Sequence, residues 1–519
     1  MEDHQETASN TLEEVVVTAQ RREESLLEVP LAVTVLSGEV LERLGALDLS
    51  YLSQLTPNTS VEVSAGTNNS IAATIRGVGH QQHIAGFESG VGLYVDDVYY
   101  NRPQLSLLDI YDVERIEVLR GPQGTLYGRN TVGGAIKYVT RRLGKEPELR
   151  LRSRAGNYGM RDAIVGGTLP LGESLRIGAS FASLNLDGFG ENLYLRNEDN
   201  YNKEVQAARG SVEWEPAADW FLRIAGDWTQ DDSDLRRGHR IFVGQFSGAP
   251  ILENVFDTRA GNAFPEAEAE SKGISLTAEW NANSALKFRG ILASRQDETW
   301  KPVDLDGLPT VDVDVSTWDA NRQKTAEFQA LYSGERTDAV AGVFAIDASA
   351  GTVLGVVLGT TGDLIGRPGL GNELSGDVET RSWAAYADFT FAFNEAWSGS
   401  LGGRYTHDER SAFVGRRVLV GGTSGFFGGP AVPVATTSDF NGSEVFTRFT
   451  PRAAVQWRPG DEQHLYLSYS EGFKGGGFDP RGLSTQAPDF DGDGLVSENE
   501  VHEFMKFDPE EVASWELGW

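Results

Sequence analysis

The chain has 519 residues and not one cysteine. It forms no disulfide, and a folding route through an oxidising compartment does without one. Long apolar runs are missing too. No stretch of eighteen apolar residues occurs and the mean hydropathy is −0.32, so no segment reads as a transmembrane helix. Membrane β-barrels stay open, because their alternating strands give a weak hydropathy signal. Met1 to Asn10 (MEDHQETASN) lacks the apolar centre of an export signal, so in an exported protein that signal is removed or encoded upstream. Positive charge is scarce: 45 Lys and Arg stand against 76 Asp and Glu, a net charge of −31. Such a balance disfavours nucleic acid, which needs basic patches. A cell-surface protein and a soluble acidic protein fit the charge equally well.

Glycine is concentrated in one place. Val113 to Arg142 reads VERIEVLRGPQGTLYGRNTVGGAIKYVTRR, with Gly121, Gly124, Gly128, Gly133 and Gly134 between two strand-like runs. The first run carries Val113, Ile116, Val118 and Leu119, and the second is Ala135 to Thr140. Glycine at this density implies tight turns and close backbone approach. A phosphate-binding loop is the competing reading, but there is no G-x-x-x-x-G-K-[ST] pattern and no amphipathic helix follows. The full string closely resembles the end of the plug domain of TonB-dependent outer-membrane receptors. That resemblance implies a small α+β plug followed by a transmembrane antiparallel β-barrel in the outer membrane of a Gram-negative bacterium.

The match covers about residues 12–142. Glu13, Glu14, Val15, Val16, Val17, Thr18 and Ala19 resemble a TonB box. Such an extended segment adds a strand to a partner's sheet edge; alternatively it is the first strand of the plug. Strands are expected at Pro30 to Leu36, Ile71 to Gly77 and Val91 to Val98. A helix capped by Ser37 and stopped by Gly45 precedes a second short helix, Asp48 to Leu55. The expected organisation is a mobile N-terminus with the box over 1–22, a plug over 23–143 and barrel from 148 to 519. Two plug stretches, 78–89 and 99–105, are expected at the outer face. There His80, His83, Phe87, Tyr99, Tyr100 and Arg102 are ligand-contact candidates, or else turn residues satisfying local hydrogen bonds. His80 and His83 make a poor metal site without a third ligand. Arg76 in IRG and Arg120 in LRGP match plug arginines that, in the family, pair with barrel-wall glutamates. A buried guanidinium needs such a carboxylate.

From Glu148 onward alternation dominates. Trp383, Ala385, Ala387, Phe389 and Phe391 share one face, and Ser382, Ala384, Tyr386, Asp388 and Thr390 the other. Runs of about ten residues suffice to span a bilayer when tilted. Short turns at 169–175, 215–220, 281–286, 394–397 and 458–463 alternate with long connections at 231–268, 302–320, 350–376, 414–443 and 474–511. That is the pattern of an outer-membrane barrel, with short periplasmic turns and long outer loops. Trp214, Trp220, Trp228, Trp280, Trp397 and Trp457 fall near strand ends, as interface girdles do. The count is about fourteen strands against about 22 in the family's barrels. The expectation is a fragment lacking about eight strands, with a complete fourteen-stranded barrel as the alternative. Glu516 alternates with Trp515 and Leu517, so it is the candidate partner of a plug arginine. Glu471 shares a face with Leu465, Leu467 and Tyr469 and is left out of this latch.

Asp489 to Glu500 (DFDGDGLVSENE) satisfies D-x-D-x-D-G-x5-E. Asp489, Asp491 and Asp493, the Leu495 carbonyl, Ser497 and Glu500 would then hold calcium structurally, pinning a long outer loop. The bland alternative is an acidic, solvated turn. No catalytic constellation is present. The resemblance implies TonB-driven uptake of a scarce, bulky nutrient, with a ferric siderophore as the default small-molecule ligand. Further partners would be TonB with its inner-membrane energising complex, and outer-membrane lipid and lipopolysaccharide. A glycan, cobalamin or haem is the alternative cargo, though no FRAP or NPNL motif is found. A signalling receptor and a calcium-stabilised adhesive barrel are the alternatives of another class.

Overall fold

The computed structural model describes residues 16–519 apart from 65, 66, 68, 80–83, 103, 106, 107, 109, 110, 197, 245, 246, 263, 461 and 462. The glycine-rich string folds as strand, turn and strand: Val113–Arg120 pairs antiparallel with Gly134–Thr140, which pairs in parallel with Val91–Val95. Val33–Ser37 and Val98–Tyr100 complete this five-stranded sheet, and Thr59–Val63, Ile71–Ile75 and Val78–Gly79 make a smaller one. Gly134 has φ +150°, and a Cβ there would sit 2.1 Å from the Leu119 carbonyl oxygen, so the return strand starts only on glycine. The helix Gly38–Arg43 begins where the Ser37 side chain accepts a hydrogen bond from the Val40 amide. Leu41, Leu49, Ile75, Ile116 and Val118 pack into one buried apolar cluster.

VGLYVDDV, expected as one strand, is a hairpin. Asp96 and Asp97 both take positive φ and form a two-residue turn between Val95 and Val98. Asx residues tolerate that conformation better than most, which is how the chain reverses without glycine.

The remaining chain forms one fourteen-stranded antiparallel sheet in strict sequence order, from Glu148–Ala155 to Glu510–Gly518. Alternation sorts its faces. Trp383, Phe389 and Leu401 are exposed, whereas Ala384, Tyr386, Asp388 and Asp408 are buried. An apolar outside and a polar inside are what a strand between lipid and a filled lumen requires. No helix among the described residues is long and apolar enough to cross a membrane. The sheet curls around the first domain, which contacts Arg152 through Glu42, Gln323 through Asn101, Thr450 through Thr125 and Glu516 through Arg76. Among the described residues no ladder joins Glu148–Ala155 to Glu510–Gly518, so both are edges. Stacked Trp220 and Trp280, and Trp397 and Trp457, sit beside the short turns as one aromatic girdle.

Strand length is where the sequence reading falls short. Leu286–Asp304 has 19 residues and Val432–Gly460 has 29, well beyond the about ten that cross a bilayer. The ladders continue past the lipid, where Gly, Thr and Asp on strands look like loop composition. The connections expected at 302–320, 350–376 and 414–443 shrink accordingly to 305–313, 358–370 and 421–431.

Candidate functional site

The inner domain offers two working faces. At one, the described part of the N-terminal segment, from Val16, is docked against the domain. Glu13, Glu14 and Val15 lie outside the described residues. Val16 and Val17 pair with Ser25 and Glu24, and Val17 and Ala19 are buried. Thr18 is held on all sides. Its amide and hydroxyl donate to the Glu117 carboxylate at 3.1–3.2 Å, and its carbonyl accepts from Lys137 Nζ at 3.0 Å and from the Tyr127 hydroxyl at 3.1 Å. Three residues on, the Arg21 guanidinium lies over the Tyr127 ring at 4.3 Å, pairs with Asp97 at 3.3 Å and reaches Glu327 of the wall at 3.7 Å. Burial alone would raise the Asp97 carboxyl, but Lys137, Arg21 and Arg289 together hold it well below the carboxylate range.

At the other face a buried charge cluster joins the domain to the wall. Arg129 pairs with Asp408 at 3.0 Å, and Arg410 with Glu88 at 2.5 Å. Asn130 donates to Glu88 and to the Tyr99 hydroxyl. Burial pushes the Glu88 carboxyl up, yet Arg129, Arg410 and Arg102 outweigh it and hold it at about 2. Sequence reasoning missed this cluster. Arg129 inside the glycine-rich string was its one visible signal.

The ligand-contact candidates divide. His80 and His83 lie outside the described residues. Tyr99 and Arg102 are 6 % and 5 % exposed and serve the interior, so they offer a ligand no open face; Arg102 donates to the Phe87 carbonyl at 2.6 Å. The hairpin turn at Asp96 and Asp97 is what turns Tyr99 inward against Tyr94. Tyr100 lies under the Arg295 guanidinium of the wall at 4.1 Å. Phe87 is covered by the long loop after the Gln463–Lys474 strand, stacked on Phe507 at 5.8 Å with Arg481 over its ring at 4.6 Å. A cavity of about 340 Å³ between the domain and the long-loop ends of another part of the wall is lined by Leu108, Tyr111, Phe189, Tyr201, Arg209 and Asp231. Mixed aromatic and charged walls of that size suit a small organic ligand.

Of the latch residues, Arg76 and Glu516 meet, Nη2 to Oε2 at 2.5 Å. Gly121, at φ +97°, leaves the Arg76 guanidinium room that a Cβ would narrow to 3.0 Å. Arg120 takes no carboxylate among the described residues, and its Nε is buried without a hydrogen-bond partner. Glu471 pairs with Arg448 of the wall at 3.3 Å, while its carbonyl accepts from the Gly124 amide.

In the acidic loop, carboxylate oxygens of Asp489, Asp491 and Asp493 converge within 4.8 Å of one another. Gly494 turns the chain at φ +92°. Ser497 caps the helix Glu498–Met505 in a capping box with Glu500. Glu500 also accepts from the Asp491 amide at 3.2 Å, and these amide and Ser497 bonds hold its carboxyl below the usual range. Leu495 is exposed and donates its amide to Asp493.

Two family models match the chain: the TonB-dependent receptor plug domain over residues 25–135, and the TonB-dependent receptor-like β-barrel over 124–519. A vitamin B12 transporter of Vibrio vulnificus is 22% identical over 297 residues, covering 56% of this chain and 47% of its own length. The pesticin receptor of Yersinia pestis is 36% identical over 138 residues, covering 26% of this chain and 19% of its own length. The chain thus spans less than half the length of these curated relatives. Among solved structures, the ferric yersiniabactin uptake receptor of Yersinia pestis superposes with a TM-score of 0.70 at 17% identity, covering 94% of this chain and 68% of the other. The siderophore receptor of Acinetobacter baumannii gives 0.69 at 14% identity, with 95% and 70% covered.

Proposed function

The chain belongs to the TonB-dependent receptors, a family of outer-membrane β-barrel proteins with a plug, and on that premise we propose that it carries a ferric siderophore inward across the outer membrane of a Gram-negative bacterium. The observation that carries this reading is the placement of the two faces. A segment resembling a TonB box is docked under the plug through Thr18, and the opposite side of the plug bears the ligand cavity and the long loops. TonB would pair with Val15–Thr18 as an added strand once that segment leaves its dock, and its pull would then rearrange the plug. The work is force transmission, and the family is one of transporters and receptors rather than enzymes. Siderophores are favoured because two solved structures of similar fold are described as a siderophore receptor and a ferric yersiniabactin uptake receptor. Cobalamin is the second reading, favoured by the match to a vitamin B12 transporter across 56% of the chain.

The test is deletion of Glu13–Ala19 in cells starved of iron and supplied with a panel of radiolabelled ferric siderophores and cobalamin. Uptake of one cargo should stop while its surface binding persists. Uptake that continues unchanged would sink the transporter reading and leave a structural or adhesive barrel.

We further propose that Asp489–Glu500 takes calcium. The convergent carboxylates, the turn at Gly494 and the helix that starts directly after Ser497 fit an ion held by Asp489, Asp491 and Asp493, with the Leu495 carbonyl, Ser497 and Glu500 completing the shell. The helix ends at Met505, which packs with Phe478 and with Ala85 of the plug. An ion there would fix the loop that covers Phe87.

A further inference from the structure

A second acidic cluster lies at another hairpin mouth, and nothing in the uptake reading uses it. Asp304 ends one long wall strand and Asp314 begins the next, directly opposite it in the ladder. Like charges facing each other across a ladder are destabilising. Here the effect is compounded, because Asp306 joins them: carboxylate oxygens of Asp304, Asp306 and Asp314 all lie within 4.8 Å of one another. Asp304 and Asp306 are each 7 % exposed, and Asp312, beside them, is 9 % exposed. Buried carboxylates are normally paired with a cation or bound to a metal. Among the described residues, none of these four makes an ion pair. Of the arginines in the loop above, Arg237 is engaged by Glu198 and the Asn262 carbonyl, and Arg240 donates to the backbone carbonyl of Asp306 rather than to a carboxylate of the cluster.

The polar atoms around the cluster come from amides and a hydroxyl. Asp304 Oδ2 accepts from the Gly261 amide at 2.7 Å and Oδ1 from the Gly307 amide at 2.7 Å. Asp306 Oδ2 accepts from the Asp312 and Val313 amides, and Asp312 accepts from the Thr360 hydroxyl. Each bonded oxygen keeps a lone pair for a further ligand. Asp314 Oδ1 has none of this: it is fully buried and has no hydrogen-bond partner. Asp314, half-buried as a residue, thus turns a buried oxygen with no hydrogen-bond partner towards two other carboxylates, where a cation would be bound favourably.

We propose that Asp304, Asp306 and Asp314 bind a divalent cation, calcium by preference, at a site separate from Asp489–Glu500. Three carboxylates that converge on one place offer the all-oxygen shell that calcium takes. Magnesium keeps several waters and demands near-octahedral order, which a crowded, all-protein cage of carboxylates resists. The ion's role follows from what the cluster already ties together. Gly261 belongs to the 232–267 connection, Asp306 and Asp312 to 305–313, and Thr360 to 358–370. One ion would staple three outer loops.

The test uses the full chain in detergent, with Asp491→Ala and Asp493→Ala together removing the other loop, so that its failure and this one are read separately. Calorimetric titration with calcium chloride should still find one ion per chain. Asp314→Asn in that background should lose it, or weaken it at least tenfold. Asparagine keeps the size of the side chain, and Asp314 Oδ1 supports no hydrogen bond whose loss would unfold the loop. As a second measurement, trypsin cleavage in the 232–267 connection should slow with calcium and should not slow in Asp314→Asn. No ion bound in the double-alanine background, or binding and protection unchanged by Asp314→Asn, would overturn the site.

Discussion

Lys137 holds Thr18 twice: its ammonium lies 3.0 Å from the Thr18 carbonyl oxygen and 2.5 Å from the Thr18 hydroxyl. Glu117 closes the other side of the same residue. The segment that would bind TonB is thus bonded through the very backbone groups that strand addition needs. Docking and recognition by TonB are mutually exclusive states of Thr18, so the strength of this dock sets the apparent affinity for TonB.

Weakening the dock should therefore strengthen the partner. Glu117→Gln removes charge-assisted bonds worth about 1.5–3 kcal/mol. We expect the periplasmic domain of TonB to bind the ligand-free variant about tenfold more tightly, the equivalent of about 1.4 kcal/mol. A spin label at Val16 should become mobile in step. Unchanged affinity together with a mobile label would mean that the dock does not compete with TonB.

Acid should spare the upper cluster until the pH is very low. Glu88 is held at about 2 in the fold, below the unfolded glutamate value of about 4.3. Its contribution is therefore complete above the unfolded value and is lost as pH falls towards the folded one. The thermal midpoint should stay flat from neutral pH to about 5 and drop below about 4.5. Glu88→Gln should remove part of that slope and cost about 3 kcal/mol at neutral pH, because it leaves the buried Arg410 and Arg129 to share the one carboxylate of Asp408. A slope identical to the parent's would show that other carboxylates govern the acid limit.

These contacts explain what could be read in advance and what could not. The strand–turn–strand of Val113–Arg120 and Gly134–Thr140, the faces around Trp383 and the short turns all depend on neighbours within a few residues. Glycine density and alternation report them directly. Arg129 and Asp408 are 279 positions apart. Alternation places Asp408 on the inner face but says nothing of which plug side chain will meet it. Arg21 and Glu327 were hidden for the same reason. Glu516 was reachable because it is flanked by Trp515 and Leu517, which leaves its carboxylate only one way to face. Tyr99 misled because two aspartates, not a glycine, make the turn before it.

The Arg76–Glu516 pair gives a measure of how firmly the plug is tied to the Glu510–Gly518 strand. Arg76 is 33 % and Glu516 16 % exposed at the side chain, between a surface pair and a buried one. Arg76→Ala, Glu516→Gln and the double variant, compared in urea, should show a coupling of about 1 kcal/mol. Effects that add to within about 0.3 kcal/mol would show no latch.

Calcium at the acidic loop should act at a distance through one helix. Asp493 accepts from the Leu495 amide, and the helix Glu498–Met505 follows after Ser497 and ends on Met505 against Phe478. Beyond it, Phe507 stacks on Phe87 of the plug. An ion that orders the loop therefore orders the cover over the plug. With calcium at about a hundred times its dissociation constant, stability should rise by about 2.7 kcal/mol. Asp493→Ala should abolish the rise attributable to this loop, leaving the part that Asp314 supports. Ligand bound beneath the cover should also dissociate more slowly in calcium, and Asp493→Ala should return that rate to its calcium-free value. A thermal midpoint indifferent to calcium in both chains would remove the loop as an ion site. A midpoint that rises while ligand release stays constant would keep the ion and sever it from the plug.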